Sequence, residues 1–283
     1  MTAPSQVNYD ELLRVWQEAD AVPQIEHACL FDHLMPISGD PEGPTFEGWT
    51  LLAALAAQTS RLRLGLLVTS NRIRPPALLA KMAATVDIVS LGRLDLGIGV
   101  GSRPDHPLAR REYAAHGLPF ADTATAVQSL EEACTVIRRL WTEDRPFDYR
   151  GTHVDLVGAF CNPQPVQRPH PPILIGGRSA ATLRVAARHA DLWNIPGGDF
   201  ADAVHRSSLL DRYCGEIGRD PASITRSIVL PVSPKQPETT RQAVDRAAAA
   251  GFSHIVLGLP APYTPGIARW VSEEIIRPAA RSA

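Results

Sequence analysis

Ile173-Leu174-Ile175-Gly176-Gly177-Arg178-Ser179-Ala180-Ala181-Thr182 runs from three aliphatic side chains through two glycines into a Ser-x-x-Thr pattern. The aliphatic triplet reads as a short buried strand, and the serine marks the start of a helix over 179–189. Unpaired N–H groups and the positive end of the helix dipole would favour an anion at that start. Glycine lets the anion approach the backbone, and Arg178 adds charge-assisted hydrogen bonds. A glycine turn followed by an ordinary serine N-cap is the plainer alternative.

The same strand-then-helix rhythm extends in both directions. Apolar runs at 28–31, 62–69, 93–98, 173–175, 191–195, 224–232 and 254–259 read as seven strands. Between them, helical spacing occurs at 8–19, 50–58, 76–89, 128–141, 179–189, 200–217, 239–250 and 267–279. Parallel strands need helix-length crossovers, so alternation of this kind predicts β/α units. Eight units in roughly 250 residues make a (β/α)8 TIM barrel. The predicted fold is that barrel as one domain over 1–283, with its first strand missing from the chain. The stretch 142–172 is the least regular and carries a small hairpin near 147–153. Either the start lies upstream of Met1, or the barrel opens where its first strand belongs. A doubly wound sheet is the competing arrangement.

Composition narrows the function classes. The 283 residues are 45% hydrophobic and 20% charged with a formal charge of −2, enough to bury a core and not a disordered balance. Near-zero charge gives no footprint for nucleic acid or for a membrane surface. No apolar run reaches bilayer length, and the N-terminus lacks a signal-peptide pattern, so a cytoplasmic protein is expected. Cys29, Cys134, Cys161 and Cys214 stand far apart and read as buried thiols. The nine histidines form no H-x-H or H-E-x-x-H, so no metal site is expected. Nucleophile-elbow and phosphate-loop motifs are likewise missing.

In a TIM barrel the chemistry lies just past the C-terminal ends of the strands. Those positions hold Asp32-His33, Thr69-Ser70-Asn71, Gly99-Val100-Gly101-Ser102, Gly176-Gly177-Arg178-Ser179 and Trp193-Asn194. Polar and glycine-rich tips meeting at one rim suit a cofactor cleft. Gly97-Ile98-Gly99 does not make a dinucleotide fingerprint: Pro104 and Pro107 follow, with no ribose-binding acid. Its glycines are expected to give a planar ring close access to the backbone. His33 could shuttle a proton near neutral pH, with a structural histidine as the alternative.

In this order and spacing, several runs resemble the bacterial-luciferase-like family of flavin- and deazaflavin-dependent oxidoreductases. They are Leu30-Phe31-Asp32-His33, Leu67-Val68-Thr69-Ser70-Asn71 with Arg74-Pro75-Pro76, and Asp87 through Gly101. Glu112-Tyr113, Pro165-Val166-Gln167, Pro171 through Gly177, and Ala190-Asp191-Leu192-Trp193-Asn194 complete the set. The resemblance implies a TIM barrel with an insertion after the fourth β/α unit, at the irregular 142–172 stretch, and a ring in the barrel mouth over a third-strand bulge, often with a non-prolyl cis peptide, near Val68-Thr69. It implies cofactor contacts at Val68, Thr69, Ser70, Gly99, Gly101, Ser102 and Gly176, with the phosphate on Gly177, Arg178, Ser179 and Thr182. Trp193 would wall the pocket, and His33 with Asp32 would be the catalytic pair. Some deazaflavin-dependent relatives carry a carboxylate where this chain has Ser102-Arg103, leaving Glu112 or Asp105 as substitutes.

The function so implied is hydride transfer between coenzyme F420 and a small organic substrate, in a possible homodimer. The motif versions and an arginine-rich, lysine-poor composition resemble the F420 branch. An FMN-dependent monooxygenase using oxygen is the rival. A non-catalytic flavin-binding or interaction protein built on a degenerate barrel is the second alternative.

Overall fold

The computed structural model describes residues 1–102 and 106–280. Helix α1 (Tyr9–Asp20) opens with Asn8, whose side chain accepts the Glu11 N–H at 2.8 Å, and buries Leu12, Val15, Trp16 and Ala19 on one stripe. Strand β1 (His27–Leu30) leads to α2 (Gly48–Ala57), then β2 (Arg63–Leu66) and β3 (Thr69–Ser70). The last two form one run, broken at the cis peptide Leu67–Val68. Helix α3 (Pro76–Val89) starts on a proline, whose missing N–H is harmless in a first turn.

Next come β4 (Leu96–Gly99), α4 (Pro107–Ala115), α5 (Thr123–Thr142) and an antiparallel hairpin of β5 (Phe147–Arg150) with β6 (Asp155–Ala159). The remaining units are β7 (Ile173–Gly176), α6 (Ala180–His189), β8 (Leu192–Pro196), α7 (Phe200–Glu216), β9 (Thr225–Pro231), α8 (Pro237–Ala249) and β10 (His254–Gly258). Helix α9 (Ile267–Val271) continues into a π-helical turn, Ser272–Ile276.

Six strands pair in the order β3-β4-β7-β8-β9-β10, and β1 pairs with β2, all parallel. A bridge between Leu64 and Leu94 ties β2 to the approach of β4. On the other side the ring closes through the first two residues. Thr2 donates its N–H to the Cys29 carbonyl at 2.9 Å, and Leu259 donates to the Met1 carbonyl at 3.0 Å. The Met1 ammonium donates to the Leu257 carbonyl at 2.7 Å. Among the described residues no strand element precedes α1, yet the barrel does not open there. Two residues in the right register satisfy both neighbours without an apolar run, so periodicity carries no trace of them.

Much of the motif set holds this frame. The buried Asp87 carboxylate accepts the Val166 and Gln167 amides, at 2.7 and 3.1 Å, and the Gln167 side chain at 2.7 Å. Arg93 donates to the carbonyls of Ala56, Thr59, Leu62 and Ser90, sealing the lower ends of two units. Asp191 accepts the Ile173 N–H at 2.8 Å, setting where β7 begins. Helix α4 lies outside the helical spacings read from the sequence. Its buried face is Ala109, Glu112 and Tyr113, and a charged residue on that face hides the helical stripe. Among the described residues no helix is long and apolar enough to cross a membrane.

Candidate active site

Strand register gathers the expected positions. Ser70, Gly99, Gly176 and Asn194 stand side by side across β3, β4, β7 and β8. His33 lies three residues beyond the end of β1, and Glu112 on α4 reaches across to it. The two Glu112 carboxylate oxygens stand 3.1 and 3.2 Å from His33 Nδ1, and the Leu34 N–H donates to the same carboxylate. Burial would push the Glu112 carboxyl up. The His33 hydrogen bond and charge, helped by the Leu34 and Met35 amides, instead hold it below the usual carboxylate range. With Nδ1 facing a carboxylate, Nε2 is the nitrogen left to exchange a proton. Glu112 is thus the group the sequence offered only as a substitute. Its one signal is the Ala109-x-x-Glu112-Tyr113 spacing after Pro107. Arg103 and Asp105 lie outside the described residues.

Asp32 does not partner His33. Its buried carboxylate accepts Arg74 Nη1 at 2.6 Å, Arg74 Nη2 at 3.1 Å and the Thr69 hydroxyl. Arg74 also meets Glu47, and Trp49 Nε1 donates to Thr69 Oγ1 at 3.2 Å. A carboxylate so enclosed braces β1, α2 and the β3–α3 turn. Asp32 turns to Arg74 and Thr69 while His33 turns to Glu112, so Asp32-His33 reads as a pair only on paper. Thr69 belongs to this cluster.

The barrel glycines are filled by a side chain of the chain itself. A Cβ at Gly176 would stand 2.9 Å from both Val68 γ-carbons, and one at Gly99 would stand 3.0 Å from Val68 Cγ2. Val68 therefore occupies the space over these glycines and floors the mouth. This corrects the expectation that the glycines themselves lie open to a ring. Gly101 has φ +75° and faces the hydrogen-bonded pair Ser70–Tyr113 (2.8 Å), where a Cβ would collide. Ser102, His33, Met35, Ile37 and Glu112 border a small cavity of about 20 Å3.

Before the start of α6, Gly177 takes φ +149° and spends its N–H on the Asn194 carbonyl, at 3.2 Å. Ser179 caps α6 by accepting the Thr182 N–H at 3.1 Å, and its hydroxyl meets Thr182 Oγ1 at 2.9 Å. The remaining first-turn amides of α6 are the free donors a phosphate would use. The Arg178 side chain is 58% exposed and pairs with Asp202 at 2.6 Å. Trp193 does not wall the pocket. It is fully buried on the helix side of β8, beside Phe252, and donates Nε1 to the Gly177 carbonyl at 2.8 Å. The pleat turns Asn194, not Trp193, to the Ser227 side chain of the next strand.

The family model described as luciferase-like monooxygenase matches residues 2–274. An uncharacterized protein of Mycobacterium tuberculosis is 33% identical over 223 residues, covering 79% of this chain and 71% of its own length. An F420-dependent secondary alcohol dehydrogenase, solved with an F420-acetone adduct, superposes with TM-score 0.84 at 19% identity over 99% of this chain and 97% of its own. The coenzyme F420 dependent tetrahydromethanopterin reductase of Methanopyrus kandleri gives TM-score 0.80 at 17% identity, over 98% and 97%. An EDTA monooxygenase from Chelativorans gives 0.72 at 14%, over 98% and 87%. These structural likenesses bear out the TIM barrel.

Proposed function

The chain belongs to the luciferase-like monooxygenase family, and from that premise we propose that it is an oxidoreductase moving a hydride between coenzyme F420 and a small organic substrate. The carrying observation is the His33–Glu112 pair, 3.1 Å apart at a rim that also presents the first turn of α6. Solved neighbours include F420 enzymes as well as monooxygenases, and the two with the higher TM-scores are F420-dependent. The residues fit such a group: an apolar floor at Val68, and free amides with Arg178 and Ser179 for a phosphate tail.

When bound, the deazaflavin ring supplies the hydride acceptor or donor. Val68 would support its face, while the first turn of α6 would hold the charged tail. His33 gives or takes the proton on the substrate oxygen through Nε2, and Glu112 positions the imidazole through Nδ1. Met35 and Ile37 shape an apolar side for the substrate. The protein works as a cytoplasmic homodimer in this reading.

Titration of the purified protein with F420 and with FMN, separately, tests the assignment. Saturable binding of F420 with weak or no uptake of FMN supports it; the reverse, with oxygen consumption, moves the chain to the monooxygenases. Uptake of neither would count for the non-catalytic alternative. His33→Ala should lower turnover roughly 10²–10⁴-fold with cofactor affinity little changed, and unaltered turnover removes His33 from the chemistry.

A further inference from the structure

Two arginines flank Ile73 in the turn after β3, and they are partnered differently. Arg74 gives its guanidinium to Asp32, Thr69 and Glu47. Arg72 forms no ion pair among the described residues. Its one side-chain hydrogen bond runs from Nη1 to the Ser102 carbonyl, at a long 3.3 Å. Nη2 has no acceptor among those residues, and Nε is buried without a partner. The guanidinium lies over the Phe120 ring, 5.0 Å from its centroid, and burial lowers its proton affinity. Asp122 acts on it only through its charge, its oxygens being engaged by the Thr125 amide and hydroxyl. Such a cation has lost part of its water without gaining a counter-charge.

Its place in the barrel gives the unmatched donors a use. The Arg72 backbone N–H donates to Ser70 Oγ at 3.3 Å, and Ser70 Oγ in turn meets the Tyr113 hydroxyl. Ser102, whose carbonyl takes Nη1, also borders the small cavity of His33 and Glu112. The guanidinium therefore stands beside Ser102, at the same rim as the His33–Glu112 pair. The strand order β3-β4-β7 sets it on the other side of β4 from the first turn of α6. An anion at Arg72 is thus separate from a phosphate at that turn.

We propose that Arg72 binds a carboxylate of the substrate, so that the small organic molecule is an oxo acid or the matching hydroxy acid. The acid group lies across Ser102 on the Nη1–Nη2 edge, in charge-assisted hydrogen bonds, and the carbonyl lies at His33. In the reducing direction the carbonyl carbon receives the hydride of the reduced cofactor and its oxygen the His33 Nε2 proton. The product is the hydroxy acid, and Arg72 gives up nothing. The ketone end of this substrate rests on the hydride-transfer reading above; the acid end rests on Arg72 alone.

Pyruvate, 4-oxopentanoate and 5-oxohexanoate, each beside its methyl ester, are titrated calorimetrically into the cofactor-free chain and into the chain with oxidised F420. For at least one length, in either form, the acid should bind about tenfold or more tighter than the ester. Arg72→Gln should erase that gap while keeping the melting midpoint. Arg72→Lys, which keeps a cation at the same place, should hold part of it, as a folding defect would not. With reduced F420, Arg72→Gln should raise KM for the acid about tenfold or more and leave the ester's kcat and KM within about twofold. Equal affinity for acid and ester at all three lengths, or a gap that survives Arg72→Gln, overturns the proposal. Loss of F420 affinity in Arg72→Gln without an acid–ester gap also overturns it and gives the arginine to the cofactor. A chain that takes up no F420 yet shows the gap keeps the carboxylate site and refutes the hydride-transfer reading instead.

Discussion

In a Gly176→Ala variant the new Cβ would stand 2.9 Å from both γ-carbons of Val68, where carbons ordinarily rest about 3.5–4.0 Å apart. Neither neighbour gives easily. Gly176 sits in the β7 ladder opposite Gly99 and Asn194, and the Val68 side chain also presses on the space over Gly99. Overpacking of this kind costs about 1–3 kcal/mol. At roughly 2–3 °C per kcal/mol for a chain of this length, the midpoint should fall by about 2–9 °C. Val68→Ala alone removes two methyls from a half-buried side chain and should cost about 1 kcal/mol. In the double variant the added methyl takes the vacated space, so the two losses should not add: a coupling of about 1–3 kcal/mol in the relieving direction is expected. Thermal melts of the four proteins measure the cycle, and cofactor titrations of the same set report whether a lower floor changes ring binding. Additive losses, or a Gly176→Ala midpoint within 1 °C of the parent (about the error of a melt), would refute the reasoning that Val68 fills the barrel glycines.

Arg74→Met leaves the Asp32 carboxylate buried without its cation and should destabilise the fold by about 3–5 kcal/mol, read by urea melts; a loss under 1 kcal/mol would show the cluster is not structural. Glu112→Gln keeps the shape beside His33 but not the charge, so kcat should drop roughly tenfold or more while cofactor affinity moves less than about twofold. Equal losses in both would make Glu112 a folding residue only. His254 sits against His27 at a 4.5 Å ring separation, and burial, then the His27 charge, lowers its pKa to about 4. The unfolded chain binds that proton below about pH 6.5 while the native one does not, so stability is present above that pH and falls toward pH 4. His254→Gln should flatten this part of the melting-temperature profile between pH 7 and 4.5, and parallel profiles for the two proteins would contradict it.

Parts of this design were legible because their causes are local. Pro76 at a first turn, Asn8 and Ser179 as caps, and the 173–177 strand ending in glycines depend on side chains within four residues of one another. Other parts were not. Asp32 finds Arg74 forty-two positions away, and His33 finds Glu112 seventy-nine positions away. Helix α4 escaped notice because its buried stripe includes a carboxylate that periodicity scores as surface.

By itself the chain's order of apolar runs, caps and glycines determined a ring of β/α units with a glycine turn and a serine cap at the start of α6, since each signal acts within a turn or a strand. Only the closed barrel decided which acid serves His33, that Trp193 turns outward to brace Gly177, and that Val68 covers the glycines. Those outcomes depend on strand register and pleat, which bring distant side chains within a few ångströms, and no local pattern encodes them.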